Sequence, residues 1–456
     1  MSKLFGTDGI RERANTKLTI EKATKVAQAA AYVLTKNCER VKNGERARIA
    51  IAWDPRLSSE MLVGALTAGF CSVGVDVIRL GVLPTPGLPQ LMKTHKTTAG
   101  VMVSASHNSF EDNGLKFFTS DGFKLPDEIE VQIEHHYHNI DKIKLVDGAM
   151  VGRELFFDRP QMEYISFLQK CVDSPDLSSL KIALDCANGA TFAIAPQVFK
   201  ALGATVATMA DSPDGININK DCGSTKPAML ANMVVKEKAD VGFAFDGDGD
   251  RIFAVDEAGV VIDGDEIMSI IAMYLKQEGR LAHDTVISTI MVNLGFDIAA
   301  KEQGIKLEQV KVGDRYVLER MKEGGFVLGG EQSGHIIMLE HQTTGDGILA
   351  ALVLAKIMQT TGKKLSELNT VMTKLPQVIV NARIANEHKA AMMANPAVMA
   401  IIADSDARFA GRGRVLVRPS GTEALIRVMI EGENIDEIEQ EAKRLANILE
   451  TTGDKL

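Results

Sequence analysis

Positive charge is in short supply in this sequence. Lys and Arg number 51 against 60 Asp and Glu, for a formal net charge of −9. Broad nucleic-acid binding needs a basic face, and so does adhesion to an anionic membrane surface, so both are disfavoured. Any anion site must then be built locally, from a few Arg side chains and backbone N–H groups. Cysteine is sparse and unpatterned: Cys38, Cys71, Cys171, Cys186 and Cys222 are an odd set, widely spaced, with no C-x-x-C. That argues against a disulfide framework and for reduced thiols in the cytoplasm. The first residues, Met1 to Arg11, lack the apolar core of a signal peptide. No apolar run approaches the roughly 18 residues needed to span a bilayer. The expectation is a soluble cytoplasmic protein with neither a nucleic-acid nor a membrane partner; a homodimer is left open as its assembly.

What is present is an ordinary globular composition, 45% hydrophobic and 24% charged over 456 residues. That length exceeds what one hydrophobic core organises and suggests about three or four domains. One layout recurs: strand, helix, glycine, strand. It runs over 47–53, 59–72, Gly74 and 75–80, then from 181–185 to Gly203 and 204–209, then from 285–291 to Gly304 and 305–310. Three copies predict three tandem α/β units. An Ala-rich helix is expected over 21–41. The last stretch differs, with a strand over 378–384, a helix over 387–404, strands over 414–417 and 424–430, and an amphipathic helix over 435–450. The expected architecture is α/β, with three tandem α/β domains having mixed sheets and helices on both faces, plus a C-terminal α+β domain, around a central cleft. The domains fall at 1–155, 156–256, 257–372 and 373–456.

Four stretches carry chemistry. In Phe243-Ala-Phe-Asp-Gly-Asp-Gly-Asp-Arg-Ile-Phe253, the carboxylates Asp246, Asp248 and Asp250 alternate with Gly247 and Gly249. Carboxylates this close repel unless a cation neutralises them, and an all-oxygen site suits a hard ion such as Mg²⁺ or Ca²⁺. The plainer reading is a solvated acidic hairpin, but apolar strands on both sides favour a buried loop. A second strand runs into Ser104-Ala105-Ser106-His107-Asn108, and a Ser beside a His can be an activated nucleophile. Hydroxyl clusters also occur in ordinary turns. Lys116, after Asn113-Gly114, could neutralise a phosphate or move a proton, although a solvated strand lysine is the simpler reading. The third stretch, Gly329-Gly330-Glu331-Gln332-Ser333-Gly334-His335, packs a carboxylate, an amide, a hydroxyl and an imidazole between and just after glycines, as a polyol ligand would require. The fourth, Arg418-Pro419-Ser420-Gly421-Thr422-Glu423, offers a guanidinium fork, hydroxyls and backbone donors, a possible phosphate nest, with Arg427 placed to reach back toward the loop. A simple turn is its alternative. His135-His136-Tyr137-His138 looks like a metal tract but reads more economically as a solvated helix face.

Taken together and in this order, these stretches and Gly6-Thr7-Asp8-Gly9-Ile10-Arg11 resemble the α-D-phosphohexomutase superfamily, essentially end to end. The Glu-Gln-Ser form of the third loop, with Ser-Ala-Ser-His-Asn, points to the branch acting on glucosamine phosphate. The resemblance implies an isomerase interconverting glucosamine 6-phosphate and glucosamine 1-phosphate, a step feeding UDP-N-acetylglucosamine and cell-wall precursors. It implies that Ser106 is carried as phosphoserine, that Mg²⁺ is held by that phosphate with Asp246, Asp248 and Asp250, and that a hexosamine 1,6-bisphosphate is the intermediate and activator. It assigns Lys116, His107, Arg11 and His335 to the catalytic group. Arg251, Glu331 and Ser333 fall to the sugar phosphate, and Arg418, Ser420, Gly421, Thr422 and Arg427 to the non-reacting phosphate. Glu12, Ser109 and Ala424 depart from the family pattern, which has Gly, Pro and Pro there; more loop mobility is expected from the last two. Within the superfamily, a phosphoglucomutase/phosphomannomutase is the alternative. From other classes, an EF-hand calcium module matches the D-x-D-x-D spacing and places Glu257 at the twelfth position, but Arg251 sits where that loop needs Gly. An Asp-nucleophile phosphatase would leave the other three loops idle.

Overall fold

The computed structural model describes residues 4–6, 8–36, 38–420 and 423–453. Among them the strands form four sheets, of six, five, four and three strands. The first runs in the order Ile10–Arg13, Asp112–Thr119, Ala99–Val103, Arg48–Trp53, Asp76–Val82, Glu154–Phe156. Its last four strands are parallel and its first two run antiparallel to their neighbours. The second has the order Val261–Ile262, Ile252–Asp256, Val241–Phe245, Lys181–Asp185, Thr205–Met209. The third is Lys306–Val310, Thr285–Thr289, Leu328–Gly330, Ile336–Met338. In each of the three recurring layouts the two strands pair in parallel, as a strand–helix–strand crossover requires.

Local chemistry explains where elements begin and end. The Ala-rich helix Ile20–Thr35 starts at Thr19, whose side chain accepts from Lys22 N at 3.2 Å. It buries Ala23, Val26, Ala27, Ala29, Ala30 and Ala31 in the first domain's core. It stops six residues short of the expectation. A short helix, Glu39–Lys42, follows separately. The expected helix over 387–404 is likewise two, Lys389–Ala394 and Pro396–Phe409. Pro396 brings no N–H, and the Asn395 side chain caps the new start by accepting from Ala397 N and Val398 N.

The chain divides into two compact units. One is Met1–Met291 with Ile305–Thr370, the other Val292–Gly304 with Val371–Leu456. The first holds the three larger sheets. The second holds the antiparallel sheet Gln377–Arg383, Leu425–Gly432, Gly413–Pro419, covered by the helix Ile435–Gly453, whose Ile438, Ala442, Leu445 and Leu449 are buried. It also holds the helix Leu294–Glu302, the crossover helix of the third layout. The tie is Glu431, 0% exposed, which accepts from Leu294 N at 3.1 Å, Gln377 Nε2 at 2.8 Å and Arg414 Nε at 2.6 Å. The third α/β repeat is therefore not self-contained, because a buried carboxylate far along the chain claims its helix. Among the described residues no helix is long and apolar enough to cross a membrane.

Candidate active site

Three of the chemistry-bearing loops begin at the carboxyl end of a parallel strand. Ser104 follows Ala99–Val103, Asp246 follows Val241–Phe245 and Glu331 follows Leu328–Gly330. That edge is where ligands sit in α/β sheets. All three loops belong to the first unit, and they meet. The Ser106 hydroxyl donates to Asp246 Oδ2 at 2.6 Å, and Ile252 N donates to Gly334 O at 3.1 Å. Gly247 makes the first approach possible, since a Cβ there would lie 2.5 Å from Ser106 O. Gly249 sits at φ +70°, a conformation that costs a non-glycine residue about 1–2 kcal/mol.

One carboxylate oxygen from each of Asp246, Asp248 and Asp250 lies within 4.8 Å of the other two, and all three residues are buried. Asp248 Oδ1 and Asp250 Oδ1 are buried without a hydrogen-bond partner, so the cluster presents bare oxygens inward. Burial, then the charges of Asp250 and Asp248, push the Asp246 carboxyl well above the usual range. The triad therefore fits a metal site: it has hard oxygen donors, unspent lone pairs and an excess of negative charge. The flanks are strands, and Glu257 accepts from the Ser366 hydroxyl, so the EF-hand reading is excluded.

The opposite oxygens are already engaged. Asp248 Oδ2 accepts from the Thr85 hydroxyl at 2.6 Å and from Lys116 Nζ at 2.8 Å, and Lys116 also lies 3.3 Å from Asp250 and Asp8. Burial alone pushes Lys116 down. Asp248, Asp8 and Asp250 outweigh that and hold it well above its ordinary value, as an ammonium. The simpler sequence reading of Lys116, a solvated strand lysine, is overturned, since it is 2% exposed. Burial also opposes ionisation of Asp248, and Lys116 with Thr85 overcomes it. His107 goes the other way. Burial, then Arg251 and Arg11, bring it down to about 4. Its Nδ1 lies 3.3 Å from Arg251 Nη1 and 3.4 Å from Ser106 Oγ. A guanidinium only donates, so Nδ1 is the accepting nitrogen and the ring proton sits on Nε2.

Arg11 pairs with Asp8 at 3.1 Å, and Lys124 bridges Asp8 to Asp314, which lies 3.6 Å from His335 Nε2. His335 Nε2 also accepts from Gly345 N at 3.2 Å, which leaves the proton of the neutral ring on Nδ1. That Nδ1 is buried without a partner, and so is the Ser333 hydroxyl. Glu331 Oε1 accepts from Gly313 N at 3.2 Å. Unpaired polar atoms on one loop are what a hydroxyl-rich ligand would satisfy.

The first unit thus brings together Ser106, His107, Lys116, Arg11, Asp246, Asp248, Asp250, Arg251, Glu331, Ser333 and His335. Arg418, Ser420 and Arg427 belong to the second unit. There Arg418 and Arg427 are register partners on adjacent strands, and burial with the Arg427 charge lowers the Arg418 guanidinium. Lys389 Nζ donates to Ser420 O at 2.7 Å and to Glu423 O. Gly421 and Thr422 lie outside the described residues. The His135–His138 tract is on the surface helix Asp127–His138, and among the described residues the Asp triad is the cluster that could hold a metal.

Sequence reasoning missed Thr85, Lys124, Asp314, Arg56 and Asn219. For Arg56 a signal existed: Asp54-Pro55-Arg56 places two charged residues at the close of a buried apolar strand.

The comparisons with known proteins agree over the whole length. Residues 2–144, 162–259 and 263–375 match the alpha/beta/alpha domains I, II and III of phosphoglucomutase/phosphomannomutase, and 379–448 match its C-terminal domain. The chain belongs to the phosphoglucomutase/phosphomannomutase family. It is 49% identical over 451 residues to a phosphoglucosamine mutase of Acetivibrio thermocellus, covering 99% of each chain. It is 50% identical over 453 residues to one of Caldicellulosiruptor bescii, again covering 99% of each. Its fold resembles that of a Burkholderia thailandensis member of the phosphoglucomutase/phosphomannomutase family, with TM-score 0.79 at 22% identity over 98% of this chain and 97% of that one. It also resembles Aspergillus fumigatus N-acetylphosphoglucosamine mutase in complex with GlcNAc-6P and magnesium, with TM-score 0.68 at 19% identity over 99% and 96%.

Proposed function

We propose that this member of the family interconverts glucosamine 6-phosphate and glucosamine 1-phosphate, using Ser106 as the phosphoryl carrier. It is an isomerase of the phosphohexomutase type, supported by phosphoglucosamine mutase relatives at about half identity over 99% of the chain. The observation that carries the site assignment is the Ser106 hydroxyl at 2.6 Å from Asp246 in a buried carboxylate triad. Asp246, Asp248, Asp250 and a phosphate on Ser106 would hold Mg²⁺, which supplies charge neutralisation for the phosphoryl oxygens when bound.

The remaining steps fall to the chain's own groups. In the first half-reaction the P–Oγ bond to Ser106 breaks, a P–O bond to a sugar hydroxyl forms, that hydroxyl's proton is given up, and Ser106 Oγ, the leaving oxygen, takes up a proton. His107, neutral at pH 7 and 3.4 Å from Oγ, is placed to exchange a proton at that oxygen. The product is a sugar 1,6-bisphosphate. In the second half-reaction the other phosphoryl group passes to Ser106 Oγ, the hydroxyl proton of Ser106 leaves, and the sugar oxygen is protonated, so protons balance over the cycle. Lys116, held as an ammonium, offsets negative charge and can donate but not accept. Ser333 and the Nδ1–H of His335 offer unspent hydrogen bonds to the sugar, and Arg418 with Arg427 would hold the phosphate that is not reacting. The reading places the enzyme in the cytoplasm with a small sugar phosphate as its ligand.

Intact-mass measurement with a mutase assay tests the carrier. A fraction of purified protein should carry one phosphate, and Ser106→Ala should lose both that phosphate and activity; a fully active Ser106→Ala protein sinks the mechanism. The sugar is tested separately. Glucosamine 6-phosphate should turn over far faster than glucose or mannose 6-phosphate, and equal rates would favour the broader phosphoglucomutase/phosphomannomutase reading.

A further inference from the structure

Arg56 is among the largest fully buried side chains, yet the reaction gives it nothing to do. Its ion-pair partner among the described residues is Asp54, and both side chains are 0% exposed. Nε donates to Asp54 Oδ2 at 2.9 Å. Nη2 donates to Ser106 O and Asn108 O, both at 2.8 Å, and Nη1 to Asp112 O at 3.2 Å and to Ser109 O. All five guanidinium N–H groups are therefore spent, four of them on main-chain carbonyls of one loop. A second donor arrives from the second sheet's loops. Asn219 Nδ2 donates to the same two carbonyls, Ser106 O at 2.9 Å and Asn108 O at 3.0 Å, while its own N–H is fixed to Ala187 O at 2.9 Å. The amide side is closed through Asp54. Its Oδ2 accepts from the Ser104 hydroxyl at 2.5 Å, and that oxygen accepts from Ser106 N at 2.9 Å.

The residue at the centre of these bonds is strained. Ser106 has φ +52°, in the left-handed region that serine rarely occupies. Strain of this kind persists only where the surroundings over-determine it. We propose that Arg56 and Asn219 are positioning residues for phosphoryl transfer: together they hold the Ser106 backbone left-handed, so that Oγ returns to one point beside Asp246 in both half-reactions. The inference rests on reading Ser106 as the carrier. Its physical content is that these two side chains grip the loop by its carbonyl oxygens. A phosphate that comes and goes on Oγ leaves those bonds untouched, so the loop keeps one shape whether or not it is loaded. The same grip bears on Ser109, where the family's usual proline is missing. Arg56 fixes that residue's carbonyl from outside, in place of the stiffness a pyrrolidine ring would give.

Two variants of the full-length, Mg²⁺-supplemented enzyme test this. Asn219→Ala removes one neutral, part-buried clamp, and Arg56→Lys keeps the charge but loses the planar fork. We expect kcat to fall about tenfold in the first and about a hundredfold in the second, with KM for glucosamine 6-phosphate within about twofold of wild type. Amide hydrogen exchange should accelerate in peptides covering 104–112 and stay unchanged over 426–432. A merely structural role would instead lower thermal stability and raise exchange broadly, with kcat preserved. Should Arg56→Lys fail to fold, Asn219→Ala decides alone. Wild-type exchange over 104–112, or wild-type kcat, in Asn219→Ala overturns the proposal. If the wild-type enzyme takes no phosphate on Ser106 from glucose 1,6-bisphosphate, the carrier reading fails, and the exchange result still decides whether the clamp exists.

Discussion

The loop at Ser104–Asp112 and the loop at Arg418–Glu423 both invite an anion, and they are held in opposite ways. Around the first, charges are buried and balanced internally: Arg56 by Asp54, Lys116 by Asp248, Asp250 and Asp8. In the second, among the described residues, Arg418 has no carboxylate partner. The exposed Arg427–Glu423 pair at 2.8 Å and the Lys389 contacts to two carbonyls are the main ties of its tip. Where a bond is to be made and broken, geometry must not vary, and buried networks fix it. Where an anion is only to be held, unbalanced positive charge is the useful property.

That contrast can be broken by experiment. The largest effect is expected from Asp248→Asn. It removes a proposed metal donor and the nearest counter-charge of a buried ammonium. Activity should fall by about 10³-fold or more, Mg²⁺ binding measured by calorimetry should be lost, and thermal stability should drop, since stranding a buried charge costs about 3–5 kcal/mol. Near-normal stability would mean Lys116 is not anchored as described. Arg418→Ala should act on binding alone. KM for the sugar phosphate should rise about 10–100-fold with kcat and melting temperature nearly unchanged, since a charge-assisted bond is worth about 1.5–3 kcal/mol. A fall in kcat with KM unaltered would contradict the division of labour.

Asp346 offers a test of another buried carboxyl of the first unit. It caps the helix Gly347–Thr361 and accepts from Tyr164 Oη at 2.6 Å and Gln342 Nε2 at 2.9 Å. Burial nevertheless raises it from 3.8 to about 6. A raised acid stabilises the fold fully below its unfolded value near 4 and loses that contribution as pH rises through 6. At about 1.4 kcal/mol per pH unit the loss is of order 3 kcal/mol by pH 7. Asp346→Asn, which can still cap, should flatten that slope in urea melts between pH 4 and 7. An identical slope would show that the carboxyl is not raised. The smallest effect belongs to Glu423→Gln. It breaks an exposed ion pair, and the expected change is below about 0.5 kcal/mol in the same melts.

Much of this was legible in the sequence because polar residues directly after apolar strands announce themselves. Asp246, Asp248 and Asp250, Ser106 and the loop from Glu331 to His335 all follow buried strands, and folding moved none of them elsewhere. The supporting residues were not legible. Arg56 grips a carbonyl 50 positions away, Thr85 reaches a carboxylate 163 away, and Lys124 meets Asp314 across 190. A side chain whose partner is a main-chain oxygen leaves no residue pattern to find. One helix end was misjudged where Pro396 supplies no N–H to carry the first helix on.

The helix Leu294–Glu302 has a consequence for how the chain is made. Its first free amide waits for Glu431, 137 residues downstream. At ribosomal speeds of about 5–20 residues per second, the helix is extruded roughly 7–27 seconds before its buried partner exists. The sheet containing Thr285–Thr289 and Lys306–Val310 can pair in that interval, with the helix left as a tether whose apolar face has yet to find its home. A nascent chain halted before residue 431 should therefore bind chaperones through this helix, and release should coincide with emergence of the last strand.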